Sequence, residues 1–182
     1  MKVEKSTIRC EAFFSDDHTH RFLWRRIWNK DKPTICVLML NPVFSDTCVF
    51  DTTTNLVVSN VARLETYGGV EVVNLYSILT NKLNFKHGDV DDFTRPENDE
   101  CISQSISNCE TVVIGFGKGA VVNYSIAQRA LNVLQSNSKF KDKMFVLSDG
   151  ERIGLHPLTP TLRSGWYLEP LDYEAMINSL SS

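Results

Sequence analysis

Residues 34–40, Thr-Ile-Cys-Val-Leu-Met-Leu, run without a charged or strongly polar break, and Asn41-Pro42 stops the run. Alternating polar and apolar residues would mark a strand with one wet face. An unbroken apolar, partly β-branched run marks a strand covered on both faces, as in a parallel sheet with helices on either side. Proline then ends the ladder, because it has no N–H to donate. Three further short runs have the same character, at 70–75, 111–115 and 143–147. Helical patterns separate them. Asp51-Thr52-Thr53-Thr54 offers N-caps to a helix whose apolar positions Leu56, Val57, Val61 and Leu64 share one face, with Gly68-Gly69 to end it. Helices are also expected at 99–108, 120–135 and 172–180. Strands alternating with helices predict parallel βαβ units. The expected fold is α/β: a three-layer αβα sandwich around a short, mainly four-stranded parallel sheet, in a single domain over residues 1–182. At the start, 8–14 and 21–28 flank a polar Ser-Asp-Asp-His-Thr-His turn, which suits an added hairpin, or a strand followed by a short helical turn.

Bulk properties narrow the setting. A chain of 182 residues, 42% hydrophobic and 23% charged, has the make-up of one well-packed domain. Its longest apolar run falls far short of the roughly 18 residues of a membrane span, so no membrane partner is expected. The N-terminal residues lack the apolar stretch of a signal peptide, and the five cysteines show no CxxC spacing. A reduced, cytoplasmic, monomeric protein is the expectation. The formal charge of −3 argues against a protein that clamps nucleic acid over its whole surface.

The ligands of open α/β sheets bind beyond the carboxyl ends of the strands, and the unusual residues lie there. Asn41-Pro42-Val43-Phe44-Ser45-Asp46 follows the first run. Asn41 can orient a water through its side-chain carbonyl, Phe44 can stack on a planar ring and Asp46 can act as a base, although Asn-Pro is also an ordinary breaker. Asn74 ends the second run. Its amide can read a nucleobase edge with two contacts, or cap the turn. Gly115-Phe-Gly-Lys-Gly-Ala120 resembles a dinucleotide fingerprint but follows the third run, and Lys-Phe-Lys-Asp-Lys stands near 140 where an acidic residue should end the next strand. Tight packing of helix on strand, with the helix N-terminus facing an anion, explains it better. His156-Pro-Leu-Thr-Pro-Thr-Leu162-Arg163 is a stiff loop. His156 can stabilise negative charge on a departing group, and an exposed leucine can wedge into a base stack. The bland alternative is a histidine held by backbone and leucines that cover the core. Arg21, Arg25 and Arg26, interleaved with Phe22, Trp24 and Trp28, offer either a phosphate patch or a charged face. His18 and His20 lack further partners for a metal site, and no nucleophile elbow supports Ser-His-Asp chemistry. No metal or cofactor is expected.

Taken in order, the segments LMLNP at 38–42, VVNLY at 72–76, VIGFGKGA at 113–120 and HPLTPTL at 156–162 resemble the uracil-DNA glycosylase superfamily. More narrowly, they resemble an uncharacterised bacterial and phage domain family spanning nearly the whole chain. The resemblance implies a monofunctional DNA glycosylase acting on double-stranded DNA with the target base flipped out. Asn41 would position the hydrolytic water, with Asp46 the other candidate for that control. Asn74 would read the base, Phe44 or Tyr76 would stack on it, and Pro42 would shape the pocket. His156 would bond the base carbonyl as charge builds on it. Leu158 or Leu162 would fill the gap in the duplex, with Arg163 and Lys118 touching DNA. Val43 stands where glycine usually follows Asn-Pro, and Leu158 where the loop usually has serine. Those departures imply a substrate other than plain uracil, such as a modified pyrimidine. Glucosylated hydroxymethylcytosine, removed in defence against phages, is one candidate that the resemblance suggests. The competing readings are a hydrolase or binding protein for free nucleosides or nucleotides, and a non-catalytic nucleic-acid-binding module on the same scaffold.

Overall fold

The computed structural model describes residues 1–43, 47–49, 51–83, 90–117, 120 and 123–181, with backbone alone at 90 and 91. The elements are β1 (Arg9–Phe14), β2 (Arg21–Ile27), β3 (Thr34–Met39), α1 (Thr52–Arg63), β4 (Gly69–Asn74), α2 (Pro96–Asn108), β5 (Thr111–Ile114), α3 (Tyr124–Ser136), β6 (Met144–Ser148), β7 (Tyr167–Pro170) and α4 (Tyr173–Ser181). The strands form one seven-stranded sheet in the order β1-β2-β4-β3-β5-β6-β7. The expected α/β class holds, and the expected four-stranded sheet is corrected to seven strands. The central four, β4-β3-β5-β6, are parallel, and antiparallel neighbours flank them on both sides. β1 and β2 pair as a hairpin.

The unbroken run of β3 has its cause in the layers. Ile35, Val37 and Met39 pack on one face with Val57 and Val61 of α1, while Cys36 and Leu38 pack on the other with Ile102 and Ile106 of α2 and Leu134 of α3. Side chains of a strand alternate faces, so both faces need apolar residues only where both are covered. The chain moves from β3 through α1 to β4 on one side, then through α2 to β5 on the other side of β3. The loops leaving β3 and β5 therefore diverge, and a crevice opens between their carboxyl ends.

Two boundaries and one whole strand differ from the sequence expectation. Helix α1 ends at Arg63 with Leu64 as its C-cap, and Glu65 turns the chain with a φ of +58°. Gly68 serves another purpose: a Cβ there would fall 1.8 Å from the Asn29 carbonyl oxygen. Helix α2 starts at Pro96 rather than 99, because a first-turn proline has no N–H to waste. Strand β7 was not expected. Its sequence Tyr-Leu-Glu-Pro is mostly exposed and lies at the sheet edge, so no apolar pattern betrays it. No helix among the described residues is long and apolar enough to cross a membrane.

Candidate functional site

At the crevice lies a cavity of about 230 Å3 whose walls include Arg21, Met39, Asn41, Pro42, Asp51, Thr54, His156 and Leu158. Three segments far apart in sequence meet there: the end of β3, the start of α1 and the late loop. Asn41 is half-buried, and its Nδ2 donates to the Thr80 carbonyl at 2.7 Å and the Pro42 carbonyl at 3.3 Å. Those bonds assign the amide, so Oδ1 is its remaining acceptor. Pro42 is buried beside it.

His156 is half-buried, and its Nδ1 accepts the Leu158 backbone N–H at 3.1 Å. Burial depresses its pKa below the ordinary imidazole value. The neutral ring therefore carries its proton on Nε2, where it is a hydrogen-bond donor. Against the backbone and Cβ of His156 lies Gly117, with φ of +66°. The glycine-rich turn after β5 thus packs against the late loop. Two further contacts hold that loop. Asn60 of α1 donates to the Leu162 carbonyl at 3.1 Å, and Thr161 donates to the Asp149 carboxylate at 2.7 Å. Arg152 also donates to Asp149, at 2.6 Å, and these bonds hold the Asp149 carboxyl well below the usual range.

Arg21 is 1% exposed, and burial lowers its pKa to about 10 against the opposing pull of Asp51. It lies against Asn74, whose Oδ1 accepts from Nη2 at 3.5 Å. Asn74 is 1% exposed and shares the α1 face of β4 with Val72. Its backbone carbonyl is gripped from the opposite face by the Asn98 side chain at 3.0 Å. Asp51 caps α1, accepting from the Thr53 and Thr54 backbone N–H groups at 2.8 and 3.1 Å, while Thr54 Oγ1 donates to it at 2.5 Å.

The structure thus brings Asn41, Pro42, His156 and Leu158 to one cleft and sets Asn74 behind Arg21. Other candidates lie elsewhere. Tyr76 is fully buried in the core on the α2 side, its hydroxyl donating to the Ser125 carbonyl at 3.1 Å, so it does not line the cleft. Burial raises its pKa to about 12. Leu162 is fully buried in the core on the α1 side, turned inward by a short 3-10 turn. Leu158, 39% exposed, is the leucine at the cleft mouth. Arg163 is exposed just beyond that turn, and its carbonyl accepts from Arg63. Phe44, Asp46 and Lys118 lie outside the described residues. In the arginine row Arg21 is buried, and Arg25 pairs with Glu11 at 2.9 Å and Glu71 at 3.3 Å. His20 bonds Ser77 in the interior at 2.9 Å, whereas His18 packs on Phe14.

Sequence reading missed the place of Arg21 in the cleft and the capping carboxylate of Asp51 as its wall. Arg21 looked like one of three surface arginines, and nothing local marks it as buried. A larger groove of about 690 Å3 lies between the starts of α2 and α3. Its Arg129 is already engaged by Asp99 and the Leu75 carbonyl.

Comparison with curated proteins and with solved structures gave no match. A family model described as a protein of unknown function matches residues 21–158, from the buried arginine of the cleft to the leucine at its mouth. The chain belongs to that family, DUF1643.

Proposed function

We propose that this protein is a DNA glycosylase on a uracil-DNA glycosylase-like fold, a monomeric cytoplasmic hydrolase that takes one flipped-out base into the cleft and leaves an abasic site. The observation that carries this reading is the meeting of Asn41, Pro42, His156 and Leu158 around a single small cavity. At about 230 Å3 that cavity is below the ~300–1,000 Å3 of sites for drug-sized ligands, which suits one ring with its sugar and phosphate left outside. A base must leave the duplex to reach such a site, at a cost of a few kcal/mol.

The roles follow from the hydrogen bonds. The bond between the sugar C1′ and the base nitrogen breaks, and its electron pair leaves with the base. His156 Nε2–H donates to the base carbonyl on which that charge collects, acting through a preorganised bond in a partly dry site. Asn41 Oδ1 accepts from a water and holds it for attack on C1′. The water oxygen joins the sugar, and its proton ends on the released base. Leu158 at the mouth takes the space the base vacates.

The substrate class proposed is a modified pyrimidine, with glucosylated hydroxymethylcytosine in phage DNA among the candidates. Duplexes carrying uracil, hydroxymethylcytosine or its glucosylated form, incubated with the full chain and then treated with alkali, report base release as strand breaks. Breaks that disappear with Asn41→Ala support the reading. The absence of release from every duplex rejects it. The net charge of −3 and the pairing of Arg25 favour a second reading, hydrolysis or binding of free nucleosides in the same cleft. Release of base from nucleosides but not from DNA would select it.

A further inference from the structure

The groove between the starts of α2 and α3 is separate from the cleft. Helices α2 and α3 follow β4 and β5, so it opens at the same edge of the sheet but over the face opposite α1. At about 690 Å3 it falls within the ~300–1,000 Å3 of small-molecule sites. Tyr124, Gln128 and Asn132 of α3 line it and recur every fourth residue, so they share one helix face at steps of about 6 Å. Tyr124 is 79% exposed, and the amides of Gln128 and Asn132 have no hydrogen-bond partner among the described residues. Arg129 lines the same groove with its side chain only 10% exposed. Its Nε donates to the Leu75 carbonyl at 2.8 Å, Nη1 to Asp99 Oδ2 at 3.1 Å and Nη2 to Asp99 Oδ1. Those bonds use three of the five N–H groups of a guanidinium, so two remain without a partner among the described residues. The fork is thus fixed in orientation while donors are left over.

Arg95 also lines the groove, is exposed and forms no ion pair among the described residues. Asp17 of the β1–β2 turn acts on it through space, but that carboxylate accepts from Ser15 and Thr19, and neither Asp17 nor Glu97 lines the groove. Asp99 balances Arg129, so the lining keeps one positive charge, on Arg95. We propose that this groove is a second ligand site that takes a nucleoside phosphate. The phosphate meets Arg95 and the spare donors of Arg129, the base stacks on Tyr124, and Gln128 and Asn132 bond its edge. A bare anion would leave the ring and both amides unused, and a neutral ligand would leave Arg95 without a counter-charge. Side-chain amides both donate and accept, and stacking tolerates any base, so the site reads the class of ligand and not one sequence. A free nucleotide and one nucleotide of a single strand share this chemistry. The site does not rest on the glycosylase reading, since none of these side chains lines the cleft.

The test follows side-chain amide and arginine Nε–H signals of the 15N-labelled full chain. The probes are thymidine 5′-monophosphate, thymidine, inorganic phosphate and a decathymidylate strand. The monophosphate should shift the Gln128, Asn132 and Arg129 signals and bind more tightly than thymidine or inorganic phosphate. Tighter binding by the strand assigns the site to single-stranded nucleic acid, and tighter binding by the monophosphate assigns it to free nucleotides. Tyr124→Ala, at an exposed position, should weaken binding at least about fivefold, the lower end of what one base–aromatic stack supplies. Arg95→Gln should weaken the phosphorylated probes and leave thymidine unchanged. Absence of binding at millimolar concentrations overturns the site, as do shifts confined to Asn41 and His156, affinity for inorganic phosphate or thymidine equal to that for the monophosphate, or unchanged binding in Tyr124→Ala. Base release in the cleft is read by strand breaks and stands or falls apart from these outcomes.

Discussion

A Cβ placed on Gly117 would stand 3.1 Å from the Cβ of His156, so the turn after β5 and the late loop fit against each other at a point where only a glycine passes. The backbone there has φ of +66°, a region that side chains avoid. Gly117→Ala should destabilise the protein by about 1–3 kcal/mol in urea unfolding, the usual strain of a residue forced into such a conformation. Base release per folded molecule should fall further, because displacing His156 by an ångström costs on the order of a hundredfold. Full activity in the alanine variant would show that the imidazole position does not matter.

Acid should weaken both stability and activity through His156. Its folded pKa is depressed by burial, so between that value and the ordinary 6.5 the unfolded chain binds more protons than the native one. The contribution of the neutral ring is complete above 6.5 and declines as the pH falls. His20 shifts in the same direction, mainly from burial, with Arg95 adding to it. Unfolding measured from pH 7.5 to 5 should lose stability progressively, and the slope should flatten in a His20→Gln, His156→Gln double variant. The rate of base release should fall on the same acid side as Nδ1 takes a proton and its bond from Leu158 breaks.

The two leucines of the late loop should separate cleanly. Leu162→Ala removes a fully buried side chain and should cost about 2–5 kcal/mol, with the surviving folded protein still active. Leu158→Ala, at the exposed mouth, should change stability by no more than about 0.5 kcal/mol yet weaken binding of duplex DNA carrying a flipped base. Equal binding by native chain and Leu158→Ala would remove the wedge.

Asp149 ties the late loop to the end of β6. Replacing it by alanine strips the acceptor from Thr161 and Arg152. Hydrogen exchange at residues 156–163 should accelerate while the β3 and β5 amides stay protected. Because the native carboxyl is held well below its usual range, chiefly by Thr161, the clasp should persist through neutral pH and be lost only as strong acid protonates it.

The parallel centre of the sheet was legible because burial on both faces leaves an unbroken apolar signature, as in β3 and β4. The ends of those strands were legible too, since Asn41-Pro42 and Asn74 interrupt such runs sharply. Face was less legible where the pleat stops. Leu75 and Tyr76 both enter the same core because the chain leaves β4 at Asn74, which defeats an alternation argument for Tyr76. Leu158 and Leu162 look alike in sequence, and the 3-10 turn that sends one inward has no apolar period of its own. Arg21 was hidden for a different reason. Its burial depends on Asn74 and Asp51, 53 and 30 positions away, and no local pattern encodes a partner at that distance.

Asp51 begins helix α1 and also supplies the negative wall facing Arg21. A serine would start the helix nearly as well, but it would remove the carboxylate whose charge acts on Arg21 and make this wall of the cleft less negative. One side chain thus carries two duties of unequal replaceability: several residues could begin the helix, but only a carboxylate also keeps this wall of the cleft negative.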